Sequence, residues 1–172
     1  MSYKIFDPKV NRPLHEVSSG DAREAYNWFI ENIPERLKEI SDLLNSDNIN
    51  LDLSDNSLVE LHDWFIEIVQ EERSYGNASP SPELFSVCND IAIYIAEMIR
   101  KEGQNIDWNF YTTNSKGLSY QRPVLIGFNV KNKDFHIDID ILICQYAFRI
   151  LKTNKIEEDR FLKIFEKAKT IL

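Results

Sequence analysis

Glycine is scarce in this sequence: there are five in 172 residues, and no two lie close together. A glycine-rich phosphate cradle cannot be built from so few, and neither a P-loop nor a G-x-G-x-x-G stretch occurs. G-x-S-x-G, C-x-x-C and H-E-x-x-H are missing as well, which excludes the common local signatures of serine hydrolases, dithiol redox proteins and zinc proteases. His15, His62 and His136 are scattered, with no evident serine or cysteine partner. What remains open on the enzymatic side is a site assembled from distant residues.

Long apolar runs are also lacking. The longest, around Ile91–Ile99, is interrupted by Asp90 and Glu97 and falls short of the ~20 residues a membrane span needs. The start, MSYKIFDPKV, has no basic residues leading into an apolar core, so no secretory signal is expected and a cytoplasmic protein is the reading. Cysteine is limited to Cys88 and Cys144, far apart and each on an apolar helical face; free buried thiols are expected.

Positive charge is absent where acids are densest. The net charge of −8 is uneven: residues 1–86 carry 17 acids and 7 bases, whereas residues 87–172 carry 11 acids and 13 bases. From Ser41 to Glu72 there is no Lys or Arg at all. Such a surface repels phosphate backbones and anionic membranes, which disfavours nucleic acid and membrane as partners and favours a basic protein.

What is present is a chain of about one domain's length, rich enough in apolar residues for a real core. The clearest element is Ser81–Gly103. Ser81 reads as an N-cap, Pro82 as the first helical residue and Glu83 as a charge matched to the helix dipole. Arg100 and Lys101 suit the last turn, and Gly103 suits a left-handed cap. Between them nearly every side chain is apolar, leaving only Ser86, Asn89, Asp90, Glu97 and Arg100 as a stripe that could face water. A helix this apolar must be covered on several sides, so it is expected to be central.

Upstream, residues 1–18 read as an irregular segment in which Tyr3, Ile5 and Phe6 suggest a short strand before Pro8 and Pro13. Helical spacing runs from Ser19 or Asp21 through Ala22, Ala25, Phe29, Ile33, Leu37, Ile40 and Leu44; Pro34 either kinks one helix or separates a first, ending near Asn32, from a second that it starts, and two segments sharing a face are expected. A further helix runs to about Glu72, with Ser57 and Glu60 at capping-box spacing. Asn27–Glu31 aligns with Asp63–Glu67 at an offset of 36, with Ser18 and Glu24 matching Ser54 and Glu60. Two copies are too few for a repeat array, so a helical hairpin with matching aromatic anchors is expected.

After Gly103 the period changes to two. Ile106, Trp108 and Phe110 alternate with polar neighbours, Arg122–Val130 follows as a second strand, and Phe135–Ile137 suggests a third. Helical spacing returns near Asp138, with Ile141, Cys144, Phe148 and Leu151 inward, and the last helix is expected over Glu157–Leu172. The sum is a single α+β domain over 1–172: a helical hairpin, a central buried helix, a small antiparallel hairpin or meander at about 106–137, and two C-terminal helices.

Three residue sets could carry function. His136, Asp138 and Asp140 alternate, as metal ligands on one strand face would, although Asp138 also reads as a helix N-cap. Asp90 and Glu97, seven apart on the central helix, suit either acid–base chemistry in a cleft or buried hydrogen bonds to Tyr or Trp. The third set is the uncompensated acids Asp55, Glu60, Asp63, Glu67 and Glu71. Asp63, Glu67 and Glu71 form an i, i+4, i+8 like-charge row that costs the helix a few tenths of a kcal/mol per pair. A cost with no local return points to a partner that supplies positive charge. No residue set requires a metal or a cofactor.

The segments Asp107–Tyr111 and Ser119–Phe128, with Ile93-Tyr94 and Glu97 before them and Trp28-Phe29, Arg36-Leu37 and Trp64-Phe65 earlier, resemble a pattern seen in small uncharacterised bacterial proteins of the toxin-immunity type. The resemblance spans about residues 20–150 and is structural in kind. It implies a non-enzymatic immunity or antitoxin function and assigns no catalytic residue.

Overall fold

A 21-residue helix, α3 (Pro82–Glu102), runs through the middle of the computed structural model, which describes residues 3–172. Ser81 caps it by accepting from the Leu84 amide, and Pro82 opens it. Glu72 in turn holds the cap through the Ser81 hydroxyl at 3.0 Å. Ser86 and Asp90, assigned above to the water-facing stripe, are buried instead, so α3 is covered over most of its girth.

Around it lie α1 (Ser19–Asn45), α2 (Asp55–Ser74), α4 (Ile139–Thr153) and α5 (Arg160–Lys169). Helices α1, α4 and α5 pack directly on α3, and α2 rests on α4 and α5. The expected break at Pro34 does not occur: α1 is continuous for 27 residues. Phe29, Ile33, Arg36, Ile40 and Leu44 are all buried, on one stripe that crosses Pro34. Pro34 itself is exposed, where water can take the Ile30 carbonyl that has lost its donor. Burial of the shared stripe outweighs the proline cost of about 3 kcal/mol.

Helix α2 is capped by Ser54, which accepts from Ser57 N at 3.1 Å. Ser57 is therefore not the cap. Its hydroxyl bonds Tyr94 of α3 at 2.6 Å, pinning the start of α2 to the central helix. Ser18 caps α1 in the same way, so the 36-residue offset aligns two equivalent helix starts. The matched tryptophans differ: Trp28 donates to the Asp7 carbonyl and Trp64 to Asp47.

Strands β1 (Asp107–Phe110) and β2 (Pro123–Ile126) pair antiparallel, Trp108 opposite Leu125. The expected third strand contributes only an isolated bridge from Ile137 to Leu125. Gly103 has φ −108°, so it is not a left-handed cap. It serves as a space: a Cβ there would lie 2.5 Å from Ile106 Cγ1 and 2.8 Å from Leu172 Cδ2. The last helix is shorter than expected, because Glu157–Asp159 precede it, with Asp159 at φ 49°. Residues 3–13 form no strand; they cross α1 and α3 as an irregular strap that ends in a 3-10 turn at Leu14–Glu16. Residues 1 and 2 of that segment lie outside the described residues. No helix among the described residues is long and apolar enough to cross a membrane.

Where α2, α4 and α5 meet, His62 is buried between Tyr146, stacked at 5.8 Å, and Phe161, edge-on at 5.1 Å. Its Nε2 shares a 3.0 Å hydrogen bond with the Tyr146 hydroxyl, and burial pushes its pKa down. A depressed folded pKa means that the unfolded chain binds the proton more readily. Stability should be complete above the ordinary imidazole pKa of about 6.5 and decline as pH falls below it. Thermal midpoints measured from about pH 7 to pH 5 should show this decline, and His62→Phe should flatten it.

Candidate functional site

Four of the five sequence-picked acids converge. Glu60, Asp63, Glu67 and Glu71 line one open groove on α2, facing Asp47 and the 46–49 turn that follows α1. The helical spacing explains this, since side chains three and four apart share a face. Trp64 and Ile68 form the floor, and the Trp64 indole donates to Asp47 Oδ2 at 2.9 Å, fixing that carboxylate at the rim. No Lys, Arg or His lines the groove. Asp55, the fifth acid, stands apart in the first turn of α2, in the electrostatic reach of Lys169. Asp42 is likewise not free, because Lys38 pairs with it at 2.6 Å.

Asp90 belongs to a buried ion pair. Its Oδ1 accepts from Arg36 Nε at 2.8 Å, and its Oδ2 accepts from Arg36 Nη2 at 2.6 Å and from the Tyr3 hydroxyl at 2.5 Å. Both partners are out of water, with side chains 3% and 0% exposed. Arg36 Nη1 continues to the Lys4 carbonyl, and Ser86 Oγ accepts the Phe6 amide, so the network bolts the N-terminal strap down. Burial pushes the Tyr3 phenol far up, with the adjacent Asp90 charge adding to it. Burial alone would lower the Arg36 guanidinium, but Asp90 and Tyr3 raise it above its ordinary value. Glu97 accepts both a forked pair from Arg100 and the Trp108 indole at 2.9 Å. Asp90 and Glu97 thus bond to Tyr and Trp, as the structural alternative predicted, and they do not share a catalytic cleft.

The His136–Asp140 set separates. His136 lies against the Tyr111 ring at 3.9 Å. Asp138 caps α4 by accepting from Ile141 N, and it also takes Arg122 Nε at 2.8 Å. Asp140 is paired with Arg122 Nη2. Among the described residues no group of His, Cys, Asp or Glu is placed to hold a metal ion.

Sequence reasoning missed a cavity. The strap, α1, α3, the hairpin and α4 together enclose a hollow of about 350 Å³, within the range of small-molecule sites. Phe6 and Leu14 roof it, Phe29 and Trp108 form one wall, and Arg122 with Asp140 stands on another. Ile141, Cys144 and Phe148, expected inward, are only half-buried. They line a smaller hollow of about 260 Å³ that shares Leu14, Arg122 and Cys144 with the larger one. Cys88 and Cys144 are free, and the Cys144 thiol is pushed up by the neighbouring Cys88 and by burial. Compared with known protein families, curated proteins and solved structures, the chain matches none of them.

Proposed function

We propose that the chain is a non-enzymatic binding protein that takes a basic protein partner in the acidic groove of α2, as an immunity-type inhibitor would take a basic toxin. One observation carries this reading: Asp47, Glu60, Asp63, Glu67 and Glu71 line one groove with no basic side chain among them. Five converging carboxylates steer a cationic surface by long-range attraction. Trp64 and Ile68 at the floor give that surface something apolar to cover. The acids that bind would also block, by occupying the Lys and Arg side chains with which a nuclease-type toxin holds phosphates. The alternative, a small enzyme using Asp90, Glu97 or the 136–140 set, has less support, because each of those carboxylates is held in an ion pair within the protein.

The test is comparative capture from a lysate of the native cells, using the unaltered protein and an Asp63→Lys, Glu67→Lys variant. A basic protein should be retained by the first and released as salt rises from about 0.05 to 0.5 M, where the screening length shortens several-fold. The variant, with two exposed α2 residues changed, should fold and lose at least about tenfold in retention. Equal retention by both proteins would sink the proposal.

A further inference from the structure

The 350 Å³ cavity is independent of the acidic groove, with no lining residue in common. A hollow of ~150 Å³ suffices for benzene, so this one has room for a ring with a tail. Its walls are mainly apolar, and Ile5 and Phe85, which also line it, are each 42% exposed at the rim. An apolar mouth of that kind lets an apolar molecule in at low desolvation cost.

Charge decides what else the occupant carries. On the polar wall two carboxylates, Asp138 and Asp140, share a single guanidinium, Arg122. With both carboxylates ionised the cluster carries one negative charge in excess. Asp138 is satisfied by Arg122 Nε and the Ile141 amide. Asp140 is not: Oδ2 takes Arg122, whereas Oδ1 has only the Cys144 thiol at 3.5 Å, a weak donor at long range. Asp140 is also the member of the pair that lines the hollow. Its side chain is 30% exposed, so Oδ1 is open to a further donor, and burial raises its carboxyl against the pull of Arg122, a shift that a cationic donor would oppose.

We propose that this cavity is a binding site for a small apolar amine, its ring or chain against Phe29 and Trp108 and its ammonium donating to Asp140 Oδ1. An anionic isostere would meet the excess negative charge, and a neutral one would leave Oδ1 with only the weak Cys144 donor. The amine is thus preferred by the cluster and not by the apolar walls, which would accept all three.

Three probes of similar shape test this on the unaltered protein: 4-phenylbutylamine, 4-phenylbutyrate and butylbenzene. Calorimetric titration should rank the amine at least about tenfold tighter than the acid, and the Trp108 indole resonance should shift as it binds. Ala25→Leu, which adds volume at the cavity wall, should abolish binding, and Asp140→Asn should reduce the amine's advantage over butylbenzene by about tenfold. Should Asp140→Asn fail to fold for want of an Arg122 partner, the ranking of the three probes still decides the matter. No binding of the amine at ~1 mM, an acid that binds as well as the amine, or amine binding that survives Ala25→Leu would each overturn the proposal.

Discussion

Asp90→Ala should destabilise the protein by about 3–5 kcal/mol, the usual cost of stripping one partner from a buried ion pair. The change leaves the Arg36 guanidinium charged, almost wholly out of water and without its carboxylate. The Tyr3 hydroxyl loses its acceptor as well. For a chain of this size each kcal/mol moves the thermal midpoint by about 2–4 °C, so a fall of roughly 6–20 °C should be seen by calorimetry. A loss below about 1 kcal/mol would show that the pair behaves like a surface salt bridge. The complementary double variant, Arg36→Met with Asp90→Leu, removes both charges and fills the same space. It should lie much closer to the unaltered protein than either single change, since apolar replacement of a buried pair is often neutral or stabilising. The contrast separates the worth of the pair from the cost of orphaning one member.

Gly127→Ala should be the most damaging single-methyl change in the chain. Gly127 follows β2 with φ +96°, a conformation that L side chains rarely adopt. An added Cβ would also lie 2.0 Å from the Asn105 carbonyl oxygen and 2.8 Å from its carbon. Those are backbone atoms leading into β1, so relief requires the hairpin to open. The left-handed penalty alone is about 1–2 kcal/mol, and the clash should bring the total to about 3 kcal/mol or more. Gly103→Ala is the control. Its φ is ordinary, and its Cβ would meet side-chain atoms of Ile106 and Leu172 and no backbone. It should cost clearly less, by denaturant midpoint, than the change at 127.

Local chemistry made parts of this fold legible. Ser81 and Pro82 set one end of α3, and Asp138 set the start of α4, because a cap and its amides lie within a few residues of each other. The acidic groove was legible for the same reason, since i, i+4 spacing on one helix suffices to align Asp63, Glu67 and Glu71. Errors arose where distant segments decide. Pro34 argues for a break even where the residues on both sides share a face, and packing of that stripe on α3 decides for one helix. Ser57 looks like a cap until Tyr94, 37 residues away, claims its hydroxyl. The Arg36–Asp90 pair spans 54 residues, yet it left a trace: Arg36 interrupts an apolar stripe between Ile33 and Ile40. A lone charge in such a position implies a buried partner of opposite sign. The cavity left no comparable trace, because a hollow is defined by where several elements fail to touch.

The strap has a consequence for cooperativity. Terminal segments ordinarily fray on their own, at almost no free-energy cost. Here Tyr3 donates to Asp90, the Phe6 amide donates to Ser86 and the Lys4 carbonyl takes Arg36. Lifting residues 3–8 would uncover a guanidinium–carboxylate pair and empty three of its hydrogen bonds at once. The segment that roofs the cavity is thus part of the same cooperative unit as α1 and α3. Opening the roof belongs to the high-energy end of the molecule's fluctuations, so traffic into the cavity runs past Ile5 and Phe85 at the rim rather than beneath a lifting lid.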